Sequence, residues 1–284
     1  MPNTPEKRPL IREIFALQNM EWQSVCNSME GVIRGTPIMF YSHLRAFSLM
    51  MTIALFAGCA QTPSKPPGPP PPQNLLGATD ELQLVTELSL NLATQYGGEH
   101  VLVVLEIDNT LLTMNQDGQT NPCGPAGTDD SAAARTMRPA QADAAEQVQR
   151  IQQAGLKAIV VTSRAPDCRR QTFEDLSSNN LAFSASAWPP QSGYPEPFLP
   201  EGAVRPVAYE NGVYFTAGQN KGDMLKALLE KTGNPKPRLI VMADSNRQDL
   251  SAMMKTFSWT DTKVHAWRYT REANPEVVKT AAGN

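Results

Sequence analysis

Val101–Leu105 is a run of five apolar residues without a polar break, and Ala158–Val161 and Leu239–Ala243 repeat the pattern. Runs of this length with no alternation predict strands buried on both faces, as in the middle of a parallel sheet. Val264–Tyr269 reads as a fourth strand. Between these runs the apolar positions spread to a helical period. Asp80 is placed to cap a helix over 81–96, which Gly97 and Gly98 end. Pro139 stands where a helix should begin, Ala140, Ala144, Val148 and Ile151 recur at helical spacing, and Gly155 stops the run. Further helices are predicted over 166–177 and 221–231. Asn211-Gly212 between two β-type runs predicts a hairpin. Strands alternating with helices define the α/β class with a mainly parallel sheet.

Such a sheet presents ligands to the carboxyl ends of its strands, and those ends carry the reactive side chains. The first strand runs into Glu106-Ile107-Asp108-Asn109-Thr110, the second into Thr162-Ser163-Arg164, and the third into Asp244, with Asp249 five residues on. Lys221 opens a helix. A carboxylate can attack phosphorus, a second can protonate a leaving oxygen, and hydroxyl and ammonium groups can steady the charge on a phosphoryl group in flight. Acids after strands also serve as plain turn and cap residues.

The order acid-x-acid-x-Thr, then Thr-Ser, then Lys, then an acid pair resembles the haloacid dehalogenase-like superfamily over Val101 to about Tyr269. The stretch "YENGVYFTAGQNKG" looks like an uncharacterised bacterial subgroup of it. The resemblance implies a Rossmann-like three-layer sandwich with small cap insertions, over residues 79–284. It places Glu106 at the nucleophile position and Asp108 at the acid/base position. Thr162 and Lys221 complete the catalytic set, and Thr110, Ser163 and Arg164 are implied substrate contacts. Glu106, Asp108, Asp244 and Asp249 are the implied Mg²⁺ ligands, with a small phosphorylated molecule as substrate or ligand. Two positions depart from the family pattern. Glu106 is one methylene longer than the usual Asp, and Ala243 replaces a Gly. Glu106 therefore reads either as an attacking carboxylate or as an acid that only orders the metal or the loop.

Two irregular insertions, at about 115–138 and 181–218, interrupt the domain. The second carries Trp188-Pro189-Pro190, Tyr194, Pro195, Pro197 and Phe198. It is expected to be either a lid over the site or a patch covering the sheet edge. Arg164, Arg169 and Arg170 gather where an anionic substrate could enter.

The 284 residues carry a formal net charge of -3 and are 41% hydrophobic, a globular balance that gives no reason to expect a nucleic-acid partner. With no Cys-x-x-Cys or His-x-x-x-His pair, a zinc site is not expected. The first third reads differently. Ala46–Ala57 is an uncharged, mostly apolar run after Arg45, too short to span a bilayer but suited to a signal peptide. Phe56-Ala57-Gly58-Cys59 resembles a bacterial lipobox, so 39–58 is read as a lipoprotein signal peptide with Cys59 as the lipidated residue. Residues 1–38 read as an over-long start or leader, and 59–78 as a Pro-rich, extended tether. Ala60 after the Cys leans toward an outer-membrane anchor facing the periplasm. An exported domain can oxidise its thiols. Cys123 and Cys168, each just beyond a strand end, are then expected to form a disulfide.

Overall fold

The computed structural model describes residues 68–114, Cys123 and residues 137–271. The predicted leader, the lipobox with Cys59, most of the tether and most of the first insertion lie outside the described residues.

In chain order the elements are β1 (Leu75–Thr79), α1 (Leu82–Tyr96), β2 (Val101–Leu105), β3 (Leu112–Met114), β4 (Met137–Pro139), α2 (Ala144–Gln153), β5 (Lys157–Thr162) and α3 (Arg169–Ser178). They continue with β6 (Tyr194–Phe198), β7 (Val207–Glu210), β8 (Val213–Phe215), α4 (Lys221–Thr232), β9 (Leu239–Asp244), α5 (Arg247–Phe257) and β10 (Lys263–Tyr269). Eight strands form one sheet in the order β1-β10-β9-β2-β5-β8-β7-β6. The six from β1 to β8 are mutually parallel, and β7 and β6 add an antiparallel edge. The protein is thus a mixed α/β fold with a mostly parallel central sheet.

The continuous apolar strands are buried on both faces, and their alternate residues feed two cores. Val101, Val103 and Leu105 of β2 pack with Leu82 and Val85 of α1 and Ala144, Val148 and Ile151 of α2. Leu102 and Val104 pack with Leu225 and Leu228 of α4 and Met253 and Phe257 of α5 on the other face. Helices therefore cover both sides of the sheet, which is why its strands show no polar alternation. From β2 the chain crosses to β5 on one side and later returns to β9 on the other. This reversal is a topological switch point, the place where open α/β sheets form ligand crevices.

Several expectations are corrected. Residues 75–78, assigned above to the tether, belong to β1, which pairs with β10. Asp80 does not cap α1. The cap residue is Glu81, and the side chain of Gln141, distant in sequence, accepts the Leu82 amide at 2.8 Å. Pro139 ends β4 instead of opening a helix, and α2 begins five residues later. The described part of the second insertion extends the sheet edge. β6 pairs with β7, Trp188 enters the core beside Tyr209, and Tyr209 donates its hydroxyl to the Trp188 carbonyl at 2.9 Å. The Asn211-Gly212 turn joins β7 to β8 with φ of 49° and 79°. Among the described residues no helix is long and apolar enough to cross a membrane.

Candidate functional site

β2 delivers its chain into a tight turn. Asn109 has φ 59°, a left-handed conformation that Asn tolerates better than most residues. Its amide donates to the Leu112 carbonyl at 2.7 Å. The turn sets Glu106 just beyond the strand with its amide on the Ala243 carbonyl of β9 at 3.1 Å. Asp244, the last residue of β9, stands beside it, and Thr162 ends β5 on the other side. Asn220 caps α4 by accepting the Asp223 amide at 3.1 Å, which aims Lys221 at the start of that helix into the same space.

The ammonium of Lys221 is the centre of the cluster. It donates to Asp244 Oδ2 at 2.7 Å and to Glu106 Oε2, and Asp249 Oδ2 lies 3.0 Å away. Thr162 Oγ1 donates to the second oxygen of Glu106 at 3.1 Å. Lys221, Glu106 and Asp244 are 1%, 4% and 0% exposed. One buried ammonium thus faces three carboxylates. Burial alone would lower the Lys221 pKa, but Glu106, Asp244 and Asp249 hold it above the usual lysine range, so it stays charged. Burial pushes the Glu106 carboxyl up to about 7, with Lys221 pulling it down and Asp244 and Asp108 adding repulsion. Asp244 is also raised, first by burial and against the pull of Lys221.

Arg164 forms a second ionic centre alongside. Its guanidinium is 0% exposed and grips Asp108 with two bonds, Nη2 to Oδ1 at 2.9 Å and Nε to Oδ2 at 3.1 Å. Its remaining nitrogen donates to Asp175 Oδ2 at 2.8 Å and Thr172 Oγ1 at 3.1 Å, both on α3. Arg164 is therefore a buried positioning residue for Asp108, with its guanidinium turned to protein partners. Thr110 is enclosed in the same way. It is fully buried, and its hydroxyl accepts the Ser245 amide at 3.0 Å, fastening the turn after β2 to the turn after β9. Ser163 lies half-buried between Thr162 and Arg164. Arg169 and Arg170 do not gather toward an anion either. Arg169 pairs with Glu210 at 3.1 Å and Arg170 with Glu174 at 2.8 Å.

Glu106, Asp108, Thr162, Lys221, Asp244 and Asp249 therefore converge at the switch point, drawn from segments more than 100 residues apart. Sequence reasoning missed Asp175, Thr172, Gln141 and Ser245. Thr172 and Asp175 had a visible signal, since they share one buried helix face with Leu176. A cleft of about 630 Å³ lined by Phe173, Leu181 and Phe183 contains none of the converging residues. Cavity size does not single out the chemistry here. Cys123 and Cys168 form a disulfide with Cα atoms 5.5 Å apart, tying the first insertion to the start of α3.

The donors suit a hard divalent cation in type, being carboxylate oxygens in excess over cations. In placement they close on Lys221. No group of three or more His, Cys, Asp or Glu among the described residues is arranged to hold a metal.

Fold and site together define a mixed α/β protein with an acid-rich polar cluster at the crevice of a parallel sheet. The family model described as "Protein of unknown function (DUF2608)" matches residues 131–282, more than half of the chain, and the protein belongs to that family. No curated protein and no solved structure matches.

Proposed function

We propose that the protein is a phosphomonoester hydrolase of the haloacid dehalogenase-like type, Mg²⁺-dependent and carried on an exported lipoprotein. The convergence of Glu106, Asp108, Thr162, Lys221, Asp244 and Asp249 at one switch point carries this reading. A phosphoryl group seated there would meet the Glu106 carboxylate, the Thr162 hydroxyl and the Lys221 ammonium at once. A Glu106 oxygen attacks phosphorus, the bond to the leaving oxygen breaks, and Asp108 protonates that oxygen. Water then attacks phosphorus, Asp108 takes back a proton, and phosphate leaves with Glu106 restored. Acids among Glu106, Asp108, Asp244 and Asp249 would hold Mg²⁺, which would supply further positive charge for the phosphoryl oxygens.

A second reading has its own support. Asp108 is locked in a two-pronged pair with Arg164, and Glu106 is one methylene longer than an Asp. Both features suit a module that binds a phosphorylated ligand, a metal or a protein partner without turning anything over.

Hydrolysis of p-nitrophenyl phosphate with Mg²⁺ separates the two. We expect slow turnover by wild type, a rise of about 100-fold in Glu106→Asp as the oxygen moves back into line, and none in Glu106→Gln. Turnover confined to Glu106→Asp would identify a decayed site and favour the second reading. No turnover in any variant would refute the hydrolase.

The anchoring reading is tested separately. Palmitate fed to expressing bacteria should label wild type and not Cys59→Ser, and a wild-type product free of label would overturn it.

A further inference from the structure

The parallel sheet gives the domain two unlike ends. Strand ends carry the carboxylate cluster. Strand starts form the opposite end, and the chain enters the domain there. Tyr96 donates its hydroxyl to the Pro70 carbonyl at 2.9 Å, His265 Nε2 lies 3.0 Å from the Gln73 carbonyl, and Asn74 accepts the Val264 amide at 2.8 Å. These contacts pin residues 70–74 beside the starts of β1 and β10.

Trp259 lies at this end too, in the loop from α5 to β10. It is 97% exposed, whereas Trp188 and Trp267 are buried. Leu76, near the start of edge strand β1, is also largely exposed. Lys255 and Lys263 flank Trp259 in sequence, and the Lys263 ammonium sits on the Thr260 carbonyl at 2.7 Å within the same loop. Lys157 opens β5, and Lys236 and Arg238 precede β9. Asp261, Glu99 and Glu230 oppose them, and Glu230 is engaged by Lys236 at 3.4 Å.

We infer that this end is a lipid-contact surface, with Trp259 seated at the headgroup level of an anionic bilayer. A ring that is wholly exposed on a folded domain gains by entering the headgroup zone, where indole is both apolar and a hydrogen-bond donor. Lysines beside it are drawn to anionic headgroups and keep the ammonium in water. The arrangement turns the carboxylate cluster away from the bilayer. It rests on the anchoring reading only for which membrane lies nearby, and not on the hydrolase.

The test uses the full chain with Trp22→Phe, which leaves Trp259 and the buried Trp188 and Trp267 as the indoles. The probes are vesicles of phosphatidylcholine alone or with about a third phosphatidylglycerol, with and without brominated acyl chains. On phosphatidylglycerol vesicles Trp259 emission should shift to the blue and be quenched by bromine. Trp259→Ala should abolish both signals, and Lys255→Glu with Lys263→Glu should weaken partitioning about tenfold or more. The leader could itself hold the chain on vesicles, so the decisive reading is the environment of Trp259. Unquenched emission from vesicle-bound protein overturns the inference. So does equal quenching on phosphatidylcholine alone, failure to bind either vesicle, or a blue shift that grows with protein concentration in the absence of lipid.

Discussion

Lys221→Met should destabilise the protein by about 3–5 kcal/mol at neutral pH, read as a lower midpoint in urea. The side chains are close in volume, so the loss is electrostatic. Without the ammonium, Glu106, Asp244 and Asp249 remain together with no cation among them. The carboxyls can then relieve repulsion only by taking up protons, which raises their folded-state pKa values above the unfolded ones. A carboxyl shifted this way makes stability fall as pH rises from its unfolded pKa to its folded one. The cost of Lys221→Met should therefore be smaller at pH 5 than at pH 8. Adding Glu106→Gln should recover part of it, because one of the facing charges is gone. A change below about 1 kcal/mol, or a larger loss at pH 5, would show that the carboxylates do not depend on Lys221.

Cys123→Ser is expected to cost about 4 kcal/mol under oxidising conditions, from a chain-entropy treatment of the 45-residue separation between the bridged residues. The same loss should appear in wild type on full reduction, and reduction should leave the Ser variant unchanged. The bridge also bears on the site. Cys168 immediately precedes α3, and α3 supplies Thr172 and Asp175 to Arg164, which holds Asp108. A reduction-insensitive wild type would refute the stabilising role of the bridge.

What could be read from the chain follows from burial. β2, β5 and β9 announce themselves because a strand covered on both faces has no polar positions to confuse the pattern. Glu106, Asp108, Thr162 and Asp244 were visible for the same reason, each lying at or just beyond the end of such a run. Asn211-Gly212 marks its hairpin because few other residue pairs accept two positive φ values. β6 was hidden because Pro195 and Pro197 cannot donate to a ladder and are tolerated only on an edge, where β6 lies with a shift in register. Asp80 competed for the role of cap with Gln141, a residue that reaches α1 only after the fold has formed. The partners of Arg164 were hidden because Asp175 lies on α3 and Asp108 in the turn after β2. Only their meeting in space shows that the guanidinium holds Asp108.

A crystal structure of the protein with Mg²⁺ and orthovanadate tests most directly whether these converging side chains receive a phosphoryl group. The expected result is vanadate within hydrogen-bond reach of Thr162 Oγ1 and Lys221 Nζ, with a Glu106 oxygen facing vanadium. Vanadate bound elsewhere, or excluded while Lys221 keeps its contacts with Glu106, Asp244 and Asp249, would contradict it.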